Sequence, residues 1–139
     1  MDGASSVGKY SSLAFTPAGN PAISYYDASV QRLKYAEYNA SVWVTTYPDP
    51  SSSVGEYSSL AFTPAGRPAI SYYDSASENL KYTEYTGMTW NTVTLDSTDA
   101  VGQDTSLAFS PAGRPAISYY DNTHGDLKFA EVTAVQISP

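Results

Sequence analysis

Three aspartates and three lysines recur along the sequence at a spacing that allows each aspartate to meet a lysine. Each aspartate stands seven residues before its lysine, and the pairs are Asp27 with Lys34, Asp74 with Lys81, and Asp121 with Lys128. Such a pair can bind a ligand once per repeat, or it can form a salt bridge between two strands of a hairpin or cap the loop between them. Acid–base catalysis requires one pair whose environment differs from that of its copies, and these three are alike. We therefore expect a structural role in each repeat, either a salt bridge or a cap on the loop, with no catalytic residue and no enzyme activity.

Two adjacent tyrosines precede each of these aspartates. Successive residues of a strand face opposite sides, so one ring of each pair packs inward and the other points away. A tyrosine ring can lie against the apolar face of a sugar while its hydroxyl forms a hydrogen bond. Packing between repeats is the alternative role for these rings. The candidate ligand-binding residues are the second tyrosine of each pair and the aspartate after it: Tyr26, Tyr73, Tyr120, Asp27, Asp74 and Asp121.

The other chemically capable residues form no recognisable site. His124 is the only histidine, it has no serine and aspartate arranged for catalysis, and we expect it to be an exposed loop residue. The chain has no cysteine, which excludes disulfides and thiolate zinc sites. No loop has the D-x-D-x-D-G spacing that places several oxygens around a calcium ion. The sequence predicts neither a metal site nor a cofactor.

The composition argues against two kinds of partner. The chain has 139 residues, of which 14 are acidic and 7 are basic, and its net charge is −7. Proteins that bind a phosphate backbone carry basic surfaces, so we expect no nucleic acid partner. No apolar run approaches membrane-spanning length, and the first ten residues lack the apolar segment of a signal peptide. We expect a soluble protein with no membrane partner, and the sequence does not indicate its compartment.

The tyrosines and aspartates belong to a sixteen-residue segment that occurs three times. The copies are SLAFTPAGNPAISYYD, SLAFTPAGRPAISYYD and SLAFSPAGRPAISYYD, and they begin at Ser12, Ser59 and Ser106, which are 47 residues apart. A period of this length indicates supersecondary units that bury their apolar faces only against their neighbours.

Each 47-residue unit divides into four predicted strands. In the first unit, alternating apolar residues between turn-forming segments predict strands at Leu13–Phe15, Ala22–Tyr26, Leu33–Tyr38 and Val42–Thr46. No segment has the apolar spacing of a helix, and several prolines would interrupt one. The predicted class is all-β. A four-stranded antiparallel unit of this length is typical of a β-propeller blade, and an irregular β-sandwich with repeated strands is the alternative.

The pattern S-L-A-x-x-x-x-G-x-P-x-I-S-Y-Y-D, followed by L-K-Y-A and a tryptophan in the last strand, resembles bacterial β-propeller repeats. The resemblance covers the whole chain and implies a fold, but almost nothing about activity. It implies three blades, at residues 1–47, 48–94 and 95–139. In the third unit Ile137 stands where Trp43 and Trp90 stand in the others, which leaves the packing at the outer edge of that blade open.

Three blades are fewer than the four to eight that typically close a propeller. The chain begins at a linker that opens a blade, because Met1–Tyr10 matches Pro48–Tyr57, and it ends close to three full periods. We predict that two chains associate head to tail as a homodimer with six blades. A trimer with nine blades, or a fragment of a longer propeller, would explain the same repeats.

These observations predict a non-enzymatic scaffold or interaction module that assembles with itself into a ring. The alternative is a multivalent lectin-like propeller with one glycan site per blade, for which propeller lectins built from short repeat chains provide only a family-level analogy. A hydrolase would need an unrepeated carboxylate pair or nucleophile, which the sequence lacks.

Overall fold

The computed structural model describes residues 1–133, and this part of the chain is all-β. Its strands form three antiparallel sheets, and neighbours within each sheet are consecutive in the sequence. The described residues form no helix, and therefore none that is long and apolar enough to cross a membrane. The predicted all-β class is confirmed.

The three sheets have the same strand order and nearly the same strand lengths. The first contains β1 (Val7–Phe15), β2 (Pro21–Asp27), β3 (Arg32–Tyr38) and β4 (Trp43–Thr46). The second contains β5 (Val54–Phe62), β6 (Pro68–Asp74), β7 (Asn79–Tyr85) and β8 (Trp90–Asp96). The third contains β9 (Val101–Phe109), β10 (Pro115–Asp121) and β11 (Asp126–Glu131). The predicted fourth strand of the third unit, with Ile137, lies outside the described residues.

A hydrogen-bonded turn joins the first two strands of each sheet. In the first sheet the Thr16 amide donates to the Asn20 carbonyl (2.8 Å), and the Thr16 hydroxyl oxygen accepts a bond from the Asn20 amide (3.0 Å). Thr63 and Ser110 make the same two contacts in the other sheets. Proline and glycine within the turn favour a reversal over a continuing strand. The predicted hairpin is confirmed in all three sheets.

The first strand of each sheet is longer and more irregular than the sequence predicts. β1 begins at Val7 rather than at Leu13, and its register with β2 shifts twice near its start. Tyr10 lies in this stretch with a φ of 54°, a left-handed conformation that costs a non-glycine residue free energy. The equivalent residues Tyr57 and Asp104 have φ values of 55° and 50°. These bulges bend β1, β5 and β9, which contact one another in succession.

Successive sheets pack face to face through two apolar cores of the same design. The core between the first and second sheets contains Ala22, Leu33, Tyr35, Val54, Leu60, Ile70 and Tyr72. The core between the second and third sheets contains the residues 47 positions further on, which are Ala69, Leu80, Tyr82, Val101, Leu107, Ile117 and Tyr119, together with Val132. The sequence repeat is therefore the repeat of an interface between sheets.

A glycine sets the separation of the sheets at each interface. A β-carbon on Gly55 of β5 would lie 2.5 Å from the Cα of Leu33 in the preceding sheet, far closer than nonbonded atoms approach. The φ of Gly55 is 110°, which also favours glycine. At the next interface Gly102 meets the Cα of Leu80 in the same way, at 2.7 Å. Only glycine allows this close approach of backbones.

Hydroxyl side chains connect the first strands of successive sheets. Ser58 donates a hydrogen bond to the Tyr10 carbonyl (2.9 Å), and the Leu60 amide donates to the hydroxyl oxygen of Ser12 (3.0 Å). The corresponding bonds at the second interface join Thr105 with the Tyr57 carbonyl (2.7 Å) and the Leu107 amide with Ser59 (2.9 Å). Each interface thus pairs an apolar core with a matching set of polar contacts.

Candidate functional site

The residues predicted to bind a ligand lie at the end of the second strand of each sheet. The structure places each tyrosine beside its aspartate, and it keeps the three pairs in separate sheets. Tyr26 and Tyr73 are buried, whereas Tyr120 is 37% exposed. The three aspartates are buried as well. A ligand-binding role for these residues stays a prediction.

Each of these aspartates organises the loop that follows its strand. Asp27 Oδ1 accepts a hydrogen bond from the Ser29 amide (3.0 Å). Asp74 and Asp121 accept equivalent bonds from two loop amides each. A carboxylate that binds amides two and three residues ahead stabilises a tight turn. The aspartate therefore has a structural role in every sheet.

A second set of aspartates lies closer to the lysines, although sequence reasoning did not place it at the site. Its members precede the first strand of each sheet and approach the lysine Nζ through Oδ2: Asp2 to Lys34 at 2.5 Å, Asp49 to Lys81 at 3.1 Å, and Asp96 to Lys128 at 2.6 Å. The signal for these aspartates was their spacing of 47 residues. That spacing reveals the repetition but not that the linker folds back onto the third strand.

The first tyrosine of each pair completes this arrangement. Its hydroxyl donates to the same carboxylate oxygen that meets the lysine: Tyr25 to Asp2 at 2.8 Å, Tyr72 to Asp49 at 2.7 Å, and Tyr119 to Asp96 at 2.7 Å. We call each set of linker aspartate, tyrosine and lysine a linker cluster. Each cluster ties the segment before the first strand to the second and third strands of the same sheet.

The ion pairs predicted within the hairpins form in two sheets. Lys34 Nζ lies 3.7 Å from Asp27 Oδ2, and Lys81 Nζ lies 3.8 Å from Asp74 Oδ2. In the third sheet no ion pair joins Asp121 to its lysine within residues 1–133, and the aspartate takes the other predicted structural role by capping the loop. There Asp121 Oδ2 lies 2.9 Å from the imidazole Nδ1 of the nearby histidine, and the lysine binds only the linker aspartate.

The linker clusters hold fixed charges around neutral pH. Hydrogen bonds from Lys34 and Tyr25 lower the pKa of Asp2 to about 2. Burial raises the pKa of Asp49, but hydrogen bonds from Tyr72, Ser51 and Lys81 outweigh it and leave the pKa below the usual value. Burial and the adjacent Asp49 carboxylate raise the pKa of Tyr72 well above the usual value. The carboxylates therefore stay ionised and the phenol stays protonated.

His124 lies in the loop between β10 and β11, as predicted, with an exposed side chain. The hydrogen bond that the imidazole donates to Asp121 raises the pKa of His124, and the charges of Asp121 and Asp99 raise it further. Among the described residues, no group of three or more histidine, aspartate or glutamate side chains is arranged to hold a metal ion.

Four tyrosine rings form a continuous row across the first two sheets. The rings of Tyr26, Tyr10, Tyr57 and Tyr73 follow one another with centroids 6.2, 4.5 and 6.1 Å apart. Ring packing of this kind accounts for the burial of Tyr26 and Tyr73. In the third sheet Asp104 occupies the position of Tyr10 and Tyr57, which leaves Tyr120 more exposed.

The outer face of the first sheet is an uncovered half of an apolar core. A pocket of about 330 Å³ opens on this face, and its apolar wall includes Val7, Leu13 and Ile23. Leu13 is 61% exposed, whereas its equivalents Leu60 and Leu107 are 6% and 7% exposed. The neighbouring sheet covers those two leucines, and no sheet of the described chain covers Leu13.

The outer face of the third sheet is the other uncovered half. Leu127 is 83% exposed and Phe129 is 63% exposed. Their equivalents in the first two sheets belong to the two apolar cores, and both of the leucines among them, Leu33 and Leu80, are 0% exposed. The two ends of the array thus present complementary parts of one interface.

In comparisons with known proteins, no family model and no curated protein sequence matches this chain.

Proposed function

We propose that this chain is a non-enzymatic β-propeller scaffold that assembles with itself. In this proposal the three sheets are propeller blades, and two copies join head to tail into a closed six-bladed ring. The observation that carries the proposal is the pair of uncovered apolar faces, because each matches one side of an interface that the chain already forms twice.

The apolar residues of the proposed contact match those of the existing cores. Leu127 and Phe129 of one copy would occupy the pocket on the first sheet of the other, as Leu33 and Tyr35 occupy the equivalent surface of the second sheet. Gly8, the counterpart of Gly55, has no atom of the described chain within 4 Å of where its β-carbon would stand. The space next to Gly8 is open, whereas Leu33 of the preceding sheet occupies the equivalent space next to Gly55.

The polar contacts match as well. Ser11 of the first sheet is equivalent to Ser58, and Asp104 of the third sheet is equivalent to Tyr57. A hydrogen bond from Ser11 of one copy to the Asp104 carbonyl of the other would repeat the bond from Ser58 to Tyr10. Such matched polar groups favour one register of the two faces over others.

Closure limits the number of copies. Propellers typically close with four to eight blades, so two chains with three blades each fall within that range and three chains exceed it. A two-copy ring uses two identical contacts between unlike faces, and it leaves no outer face uncovered.

Light scattering of the full chain after size exclusion tests the assembly. The chain mass is 14.9 kDa, and we expect a single species of twice that mass. A monodisperse monomer would contradict self-assembly, and a species of three chains would contradict the six-bladed closure.

Leu127→Arg tests whether the exposed face makes the contact. Because Leu127 is exposed in the single chain, the charge should spare the chain's own cores and abolish the dimer by burying an unpaired cation in the contact. Met88→Arg adds the same charge at a residue that is 91% exposed in the turn between β7 and β8 of the middle sheet, and it should leave the dimer intact. Equal dimer stability in the two variants would rule out this interface.

A further inference from the structure

A groove between the first and second sheets has the composition of a small-molecule site. It encloses about 440 Å³, and its lining includes Tyr35 and Glu37 from the first sheet and Arg67, Tyr85 and Trp90 from the second. Ligand sites of this size typically combine aromatic walls with a few polar groups that set orientation. The groove lies within one chain, so it does not require assembly.

The acidic wall of the groove is fixed in position. The hydroxyl of Tyr35 donates to Glu37 Oε1 at 2.6 Å, and the Tyr35 ring is buried in the core between the two sheets. This hydrogen bond from within the protein engages one oxygen of the Glu37 carboxylate. The other oxygen of Glu37 can accept from a ligand.

The basic wall stands opposite and is also held. A terminal nitrogen of Arg67 donates to the Thr86 carbonyl, and the guanidinium packs against Gly87. No ion pair joins Arg67 to Glu37 within the part of the chain that the structure describes. An arginine has five N–H donors, so this contact leaves several that can face the groove.

Aromatic rings complete the lining. The Trp90 ring lies 5.5 Å from Tyr35 and 5.4 Å from Tyr85, measured between ring centroids. Both contacts hold the indole in one orientation at the edge of the groove. The partly buried indole offers a flat apolar surface beside an acceptor, Glu37, and a donor, Arg67.

We propose that this groove binds a neutral saccharide. The apolar face of one sugar ring packs on Trp90, one hydroxyl donates to Glu37, and another accepts from Arg67. A neutral ligand fits because the two wall charges oppose each other, and because the net charge of −7 disfavours anions. The site goes beyond the scaffold role and uses none of the six residues predicted from sequence.

The next groove provides an internal comparison. Between the second and third sheets, Glu84 and Arg114 repeat the acidic and basic walls, but Val132 stands at the position of Tyr85. A tryptophan equivalent to Trp90 is absent from the sequence, where Ile137 holds that position. We therefore expect a saccharide to bind the first groove and not the second.

Tryptophan fluorescence tests this site in the full-length Trp43→Phe variant, in which Trp90 is the only indole. The probes are methyl glycosides of glucose, galactose, mannose, fucose and N-acetylglucosamine, titrated to tens of millimolar, because single sugar sites are often this weak. We expect at least one glycoside to give a saturable change. Arg67→Asn installs the residue found at Asn20 of the first repeat and should weaken binding about tenfold by removing a charged hydrogen bond. Arg114→Asn, the matched control, should leave binding unchanged.

Three results would overturn this assignment. The first is no saturable response to any glycoside, and the second is an equal loss in the Arg67→Asn and Arg114→Asn variants. The third is saturation by a zwitterionic amino acid alone, for which phenylalanine is the competing probe. The Leu127→Arg variant should keep full affinity, which separates failure of the sugar site from failure of the ring.

Discussion

At the scale of single residues, the linker clusters show how hydrogen bonds and an opposite charge offset the desolvation of a buried carboxylate. Asp49 is the most enclosed linker aspartate, and it meets the Tyr72 hydroxyl at 2.7 Å and the Lys81 ammonium at 3.1 Å. The amide and the hydroxyl of Ser51 also donate hydrogen bonds to the Asp49 carboxylate. Each partner replaces part of the hydration that the carboxylate loses, so the cluster depends on all its members.

Asp49→Ala should destabilise the fold strongly. It leaves the Lys81 charge and the Tyr72 hydroxyl with no carboxylate in a largely buried place, and the expected loss in the free energy of unfolding is about 3 kcal/mol. Urea denaturation measures it. The control is Glu131→Gln, which breaks the exposed ion pair to Arg114 and should cost less than about 1 kcal/mol. Similar losses in both variants would mean that burial adds nothing to the Asp49 contacts.

Sequence reasoning found one of the two aspartates that approach the lysine in each of the first two sheets. The spacing from Asp27 to Lys34 predicted a pair across one hairpin, because the two residues lie on adjacent strands. Asp2 lies 2.5 Å from Lys34 but 32 residues from it in sequence, and that contact depends on the path of the linker over the sheet. In the third sheet a nearby histidine changes the pairing of Asp121, which strand alternation alone does not reveal.

At the scale of elements, the first strand of each sheet carries the contact with its neighbour. The turn residues and alternating apolar residues predicted the hairpins and the third strands well. They did not predict that β1 extends back to Val7, since the segment before Ser12 has little apolar alternation and contains left-handed residues such as Tyr10. β5 packs against β3 of the preceding sheet, and the local pattern of residues does not contain that tertiary contact.

Gly55→Ala should damage the interface between the first two sheets. The new β-carbon would lie 2.5 Å from the Leu33 backbone, which cannot move without shifting β3, and the residue would also be strained at a φ of 110°. We expect a loss in unfolding free energy of about 3 kcal/mol or more, measured by thermal and urea denaturation. The control is Gly8→Ala in the monomeric Leu127→Arg chain, because Gly8 has a φ of 98° and no described atom near its β-carbon position. An equal loss in that control would attribute the whole effect to backbone strain.

At the scale of the whole molecule, the repeat defines an interface but not the number of sheets that close it. The sequence period of 47 residues predicts that every sheet meets its neighbour in the same way, and the two apolar cores agree with this. The number of sheets in a closed ring depends on the angle between neighbours, which small changes in packing alter. The length of the repeat does not predict the angle between neighbouring sheets.

Gly8→Ala in the otherwise unchanged chain tests the proposed ring without introducing a charge. Within one chain the β-carbon meets nothing, but in the ring it would meet Leu127 of the second copy as Gly55 meets Leu33. Backbone strain is present in monomer and dimer alike, so it cancels from the dissociation equilibrium. The clash occurs at both contacts of the ring, so a cost of about 3 kcal/mol at each should raise the dissociation constant of the dimer roughly ten-thousandfold, as measured by analytical ultracentrifugation over a dilution series. Gly87→Ala, in the turn between β7 and β8 of the middle sheet, should leave the constant unchanged, because a β-carbon there would meet only Arg67 of the same sheet. If Gly8→Ala also left it unchanged, then β1 would not lie against β11 in the dimer, and the second copy would have to contact the chain elsewhere.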